Sequence, residues 1–320
     1  MPKEIVTWNP EHPEAVHFGE CVIAIGIFDG VHLGHRTLLS EAREHARALG
    51  LPLVVVTFDR DPDEIFCKKD QGFAKLLSNA ERLELLCQFT QSAVLSLPAT
   101  PEVFGLEPDD FLALLAKSCT PRSIFVGINF HFGKFAAGTA KDIEAWGRAH
   151  GCTCVPHELV TDLDDVVSST RIRGLLEQGR VAEARELLGG RPHAIWGDVI
   201  HGRGEGTDMG FATANLDLSD NEAMLPREGV YAAYALVEGR RYPAAVNVGA
   251  APSFDTATAP LEAHLLDFRG DLYGKRIKIE FVEWLRESRV FADKDELIAT
   301  VMGNIDWVRM HLGSGSDVQD

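Results

Sequence analysis

Two histidines three positions apart, His32 and His35, stand in 26-GIFDGVHLGH-35, where an apolar run gives way to an amphipathic stretch. Histidines at i and i+3 share one side of a helix start, and a helix start presents unpaired N–H groups with partial positive charge. That setting suits a phosphate. Two other uses of the same residues stay open. A metal would take imidazoles but wants a third ligand in a pattern such as H-E-x-x-H, which the sequence does not supply; the pair could also be ordinary packed side chains. Asp29 and Gly30 suit a tight turn that brings backbone close to a ligand, or simply a turn.

Further chemistry-bearing groups lie downstream. Ser168-Ser169-Thr170 offers hydroxyls at a second helix start, followed by Arg171 and Arg173, whose planar forks match phosphate oxygens. A plain helix cap and solvated arginines fit those residues too. The stretch 201-HGRGEGTDMGFATANLDL-218 is rich in glycine but lacks the G-K-[ST] of a Walker loop and the strand-to-helix setting of a dinucleotide fingerprint. By itself it reads as a hairpin loop. Glu262, in 261-LEAHLLDF-268, is a strand carboxylate, and His264 beside it a strand histidine.

Residues 21–189 alternate strand-like runs with amphipathic segments. The runs are CVIAIGIF, LVVVTF (53–58), AVLSL (93–97), SIFVGI (123–128) and CTCVPHEL (152–159). The segment TLLSEAREHARAL ends at Gly50, Ser78 with Glu81 forms a capping box, and TAKDIEAWGRAHG ends in glycine. Apolar strands alternating with helices predict a parallel, doubly wound sheet whose ligands bind at the carboxyl ends of its strands. The pattern changes near Gly189-Gly190-Arg191-Pro192. Beyond it, short glycine-punctuated alternating runs such as Val-Tyr-Ala-Ala-Tyr-Ala-Leu-Val predict antiparallel strands closing into a small barrel. KDELIATVMGNIDWVRMHL (294–312) predicts a final helix, and GSGSDVQD a frayed tail. Two domains are expected, 1–190 and 191–320.

The chain's 320 residues suffice for two cores. Its formal charge of -17 leaves no basic field for nucleic acid or an anionic membrane, so phosphates must be met by a few focused donors. No apolar run approaches the ~18 residues of a membrane span. The opening MPKEIVTWNPEHPEAV has acids and prolines where a signal peptide would be apolar. Six cysteines without a C-x-x-C pair read as reduced, packed thiols. A cytoplasmic protein is the expectation, with its oligomeric state left open.

G-x-F-D-G-V-H-x-G-H closely resembles the signature of H-x-G-H nucleotidylyltransferases. VVVTFDRDP (54–62), VGINFHFGKFAAGT (126–139) and VSSTRIRGLLEQG (167–179) follow in order. Together with the second domain they make the chain similar to the prokaryotic bifunctional riboflavin kinase/FAD synthetase (FMN adenylyltransferase) family along nearly its whole length. The resemblance implies an α/β fold class. An N-terminal doubly wound (Rossmann-like) nucleotidylyltransferase domain would be followed by a small antiparallel β-barrel riboflavin kinase domain with a C-terminal helix. It implies riboflavin, FMN and ATP as substrates and Mg²⁺ as cofactor.

By the same resemblance His32, His35 and Arg173 carry adenylyl transfer. Gly26, Phe28, Asp29, Gly30, Ser169, Thr170 and Arg171 bind ATP there, and Phe66, Asn129 and Phe132 line the flavin or adenine site. In the barrel Gly202, Gly204 and Gly210 belong to the ATP loop, and Thr213 and Asn215 hold metal and phosphate. Glu262 is the base, on a strand and directed to the barrel mouth. Departures from the family pattern are Asp61 for a histidine, Ile128 and His131 in the flavin segment, Glu205 and Thr207 at positions often basic, Ala212 for a proline, and Ala251 for an arginine or asparagine. They keep open an impaired activity or a decayed flavin- or nucleotide-binding regulator; a separate rival is a transferase for another phosphate monoester. The last has no need of a kinase-like barrel.

Overall fold

The computed structural model describes residues 4–66, 74–202, 211–249, 260–313 and 316–317. The chain forms two compact units, residues 1–169 and 170–320.

In the first unit the strands are β1 (Ile5–Thr7), β2 (Glu20–Ile25), β3 (Leu53–Phe58), β4 (Ala93–Leu97), β5 (Thr120–Gly127) and β8 (Thr153–His157). They form one sheet in the order β1-β4-β3-β2-β5-β8, parallel throughout. Two small hairpins, β6 (His131–Phe132) with β7 (Gly138–Thr139) and β9 (Thr161–Asp162) with β10 (Asp165–Val166), decorate it. The helices are α1 (Leu33–Leu49), α2 (Asp63–Phe66), α3 (Asn79–Thr90), α4 (Pro101–Phe104), α5 (Pro108–Leu115) and α6 (Ala140–His150).

The period of two splits each strand between two cores. Ile23, Ile25, Val54, Val56, Leu95 and Leu97 pack with Phe111, Leu112 and Leu115 of α5 and with Ile143 and Trp146 of α6. Val22, Ala24, Leu53, Val55 and Val94 pack with Leu38, Leu39 and Ala42 of α1 and with Leu86 and Cys87 of α3. Both faces are thus covered, which is why the strands read as continuous apolar runs. Gly50 and Gly151 end α1 and α6 in the left-handed region (φ 67° and 69°), and Ser78 caps α3 by accepting the Glu81 N–H. The run CVIAIGIF yields a strand only to Ile25, because the chain turns there into the loop bearing the histidines.

The second unit contains α7 (Ser169–Glu177) from Thr170 onward and α8 (Val181–Leu187). Its strands are β11 (Ala194–Ile200), β12 (Ala214–Asp217), β13 (Gly229–Val237), β14 (Arg240–Val248), β15 (Leu261–Leu265) and β16 (Arg276–Arg286). They run antiparallel in the order β13-β16-β11-β12-β15-β14, and β13 pairing with β14 closes the barrel. Leu216, Tyr231, Ala233, Val246, Leu261, Ala263, Ile279 and Phe281 are fully buried on the inward rows. On the outward row, Ala232 and Ala245 pack under Ile305 and Val308 of α9 (Lys294–Leu312). The tail expected to fray contributes a two-residue strand, β17 (Ser316–Asp317), paired with Arg240 and Arg241; β14 has an edge there to accept it.

Among the described residues no helix is long and apolar enough to cross a membrane. Cys21, Cys87, Cys119 and Cys152 are buried free thiols and Cys154 a half-buried one, as expected; Cys67 lies outside the described residues.

Candidate active sites

In the first unit β2 lies between β3 and β5, where the strand order reverses, so its carboxyl end opens on the crevice in which such sheets bind ligands. The loop leaving β2 is tightly wound. A Cβ on Gly26 would sit 2.9 Å from the Phe28 ring, and Phe28, Gly30 and Val31 take positive φ (60°, 75° and 43°). For a β-branched residue such as Val31 that is a strained backbone, of the kind concentrated at functional sites.

His32 then caps α1, its Nδ1 accepting the His35 N–H at 3.4 Å. With Nδ1 accepting, Nε2 is the donor nitrogen of the His32 ring. The two imidazoles stack with centroids 3.6 Å apart, and the Phe28 ring meets His35 edge-on at 5.3 Å. Burial, then the neighbouring His32 and Arg82, push the His35 pKa well below its ordinary value, so the ring is neutral near pH 7. Its Nδ1 is buried without a hydrogen-bond partner among the described residues. Gly34 is small for a reason: a Cβ there would press on the His32 ring at 3.2 Å.

Asp29 braces this loop. Its buried carboxylate accepts the Leu76 N–H at 3.1 Å, and its carbonyl accepts the Ser169 hydroxyl at 3.0 Å. Ser169 is thereby tied to the histidine loop 140 residues away. Thr170 is exposed, and Arg171 and Arg173 are half-buried on α7.

The aromatic candidates separate. Phe66 is 62% exposed at the end of α2, edge-on to Phe104 at 5.3 Å, and Asn129 is exposed just beyond β5. Phe132 instead fills the core against Phe111 and Phe130, and Gly138 leaves room for its ring. Its ring is taken because β6 faces the cluster formed by α5 and α6. Asp61, which stands where the family pattern has a histidine, is buried just before α2. Its Oδ1 accepts the Asp63 N–H, and its own N–H donates to Glu64. Glu64 pairs with Lys75 at 2.6 Å; burial raises its pKa, but bonds from Lys75, Asp61 and Asn79 outweigh that and leave it lowered.

In the barrel, register sets Asn215, Glu262 and Asn247 directly opposite one another on β12, β15 and β14. Glu262 is half-buried on the outward row, since Leu261, Ala263 and Leu265 take the inward positions of its strand. Thr213 immediately precedes β12, two residues before Asn215. Gly202 packs so closely that a Cβ would meet Asn215 Nδ2 at 2.0 Å. Asn247 is held by Ser288, which donates to its Oδ1 at 3.0 Å, and by its own donation to the Gly249 carbonyl. His264 Nδ1 bonds the Ala212 carbonyl at 2.8 Å, a strand tie as expected. Gly204, Gly210, Glu205, Thr207 and Ala251 lie outside the described residues.

A family model for FAD synthetase matches residues 15–171, and one for riboflavin kinase matches residues 189–312. A bifunctional riboflavin kinase/FMN adenylyltransferase of Bacillus subtilis is 34% identical over 301 residues, 92% of this chain and 93% of the relative. The chain belongs to that bifunctional family. The Escherichia coli member is 34% identical over 283 residues, 88% of this chain and 89% of its own. A solved Streptococcus pneumoniae structure, described as a macrolide-efflux protein, superposes with a TM-score of 0.84. It is 28% identical, over 95% of this chain and 98% of that one.

Within this family frame, sequence reasoning missed Arg82, Leu76 and Ser288. Arg82 lies in a helix that reads as a surface amphipath, and neither a backbone N–H nor a lone serine carries any signal of its own. Among the described residues no group of three or more His, Cys, Asp and Glu is arranged to hold a metal. The oxygens of Thr213 and Asn215 do suit a hard cation that arrives with substrate phosphates and keeps several waters.

Proposed function

We propose that the protein phosphorylates riboflavin with ATP in the barrel and adenylylates the resulting FMN to FAD at the carboxyl edge of the parallel sheet. Both family matches, one on each half of the chain, carry this reading. The functional domains are 1–190 and 191–320, and the setting is the cytoplasm. The efflux role attributed to the pneumococcal protein would need membrane-crossing segments, and no described helix is long and apolar enough.

The two reactions demand different things. In adenylylation the nucleophile is a phosphate monoester, largely ionised near neutrality because its second pKa is about 6. No base is needed there. Negative charge builds on the leaving pyrophosphate, and fixed donors stabilise it. His32 and the neutral ring of His35 supply imidazole donors on a helix N-terminus; Gly26, Phe28 and Gly30 let the backbone approach; and Asp29 holds the loop. Ser169, Thr170 and Arg171 bind ATP, Arg173 grips pyrophosphate, and Phe66 and Asn129 meet the flavin. Phe132 backs that surface from the core.

Riboflavin is a neutral alcohol, so a base within reach lowers the barrier. Glu262 accepts its proton, flanked by Asn215 and Asn247. Gly202, with Gly204 and Gly210, lets the nucleotide lie close. Thr213 and Asn215 are the residues that would hold Mg²⁺, which when bound neutralises charge on the ATP phosphates.

Liquid chromatography of flavins formed from riboflavin or from FMN tests the division. Glu262→Ala should lower FMN formation on the order of 10²- to 10⁴-fold while FMN is still converted to FAD. His32→Ala should do the reverse. Loss of both activities from either folded variant would refute it.

A further inference from the structure

Arg82 has almost no surface: at 2% exposure it reaches from the first turn of α3 to the carboxyl ends of β2 and β3. Its Nη1 donates to the Ile27 carbonyl at 2.9 Å and to Thr57 Oγ1 at 2.8 Å. Its Nη2 donates to the Phe58 carbonyl at 2.8 Å, with Asp59 O and Asn79 Oδ1 at 3.4 Å. The Thr57 hydroxyl donates to the same Ile27 carbonyl at 3.2 Å, closing a ring of bonds between the two strands. Ile27 is the root of the loop in which Phe28 and Val31 hold positive φ.

A strained loop persists only where its surroundings over-determine it. Carbonyls at the ends of parallel strands have lost their ladder partners, and a planar fork with five donors can satisfy several at once. A lysine could bring the charge but not the fork. Burial lowers the pKa of the guanidinium, while Asp29, Asp61, Glu64 and Asp59 support its charge. The arginine is therefore a fixed cation set behind the histidine loop of an otherwise acidic chain.

We propose that Arg82 is a positioning residue for adenylyl transfer: through Ile27 it holds the loop from Gly26 to His35 in its reactive shape, and it places one permanent positive charge behind the phosphate site. It touches no substrate. The proposal rests on the assignment of FMN adenylylation to this domain.

The test uses the full chain as wild type, Arg82→Lys and Arg82→Met. ATP is varied in both reactions at a temperature where circular dichroism shows each protein folded. Arg82→Met should lower kcat for FAD formation about 100-fold, the scale expected when reacting groups are displaced by about an ångström. Arg82→Lys, keeping charge but not fork, should lose about 10-fold. Riboflavin phosphorylation should be unchanged in both. A merely structural arginine would lower the melting temperature of Arg82→Met and leave kcat per folded molecule as in wild type; that result overturns the proposal. Should Arg82→Met fail to fold, Thr57→Val decides together with Arg82→Lys. The former removes a hydroxyl from the ring and keeps the shape, and normal kcat in both overturns the proposal. Wild type unable to make FAD from FMN would instead defeat the assignment of the activity itself.

Discussion

The imidazole of His35 lies between two demands: a phosphate site favours positive charge, yet burial and the cation of Arg82 favour the neutral ring. The structure resolves this toward neutrality, and stability records the outcome. The unfolded chain takes up that proton near the ordinary value of 6.5, whereas the folded chain does so only well below it. Above that value the residue contributes nothing to pH dependence. As pH falls through it, the unfolded state binds a proton that the folded state refuses, and stability drops by up to about 1.4 kcal/mol per pH unit. Urea midpoints between about pH 7.5 and 5.5 should therefore decline less steeply in His35→Gln than in wild type. Equal slopes would assign the titration to other groups.

Elements matter through their register. Pairing β12, β15 and β14 without offset is what lines up Asn215, Glu262 and Asn247, and a slip of one residue in any one strand would turn its member of the row into the packed interior. Gly202 serves the same row from the side. Its φ is not in the left-handed region, so Gly202→Ala meets no backbone strain; the added carbon instead pushes the buried Asn215 amide aside. Riboflavin phosphorylation should fall about 10-fold or more while FMN adenylylation is untouched, a scale typical of displaced positioning groups. A variant with normal kinase rate would show that Asn215 moves without consequence.

At the scale of the molecule each unit has described hydrophobic clusters of its own. The clusters on the two faces of the parallel sheet contain only residues of the first unit, and the cluster beneath α9 only residues of the second. Phe281, fully buried in the barrel, is a sensitive point. Phe281→Ala should cost about 3–5 kcal/mol of barrel stability. On heating, riboflavin phosphorylation should be lost at a temperature where FMN adenylylation continues. Simultaneous loss of both would reveal a single cooperative unit.

The sequence by itself determined the element types, the change from parallel sheet to barrel, and the residues of the histidine loop. Each is written locally, in apolar periodicity, caps and glycine punctuation at short range. Only the tertiary structure decided that Asp29 braces Leu76 and Ser169, that the Phe132 ring belongs to the core, that Glu262 faces outward, and that Arg82 is buried. Those outcomes depend on which strand ends meet and which face a helix covers, through contacts between residues as far as 140 positions apart. A buried polar group must find partners wherever the fold places them, and one-dimensional spacing carries no record of that place.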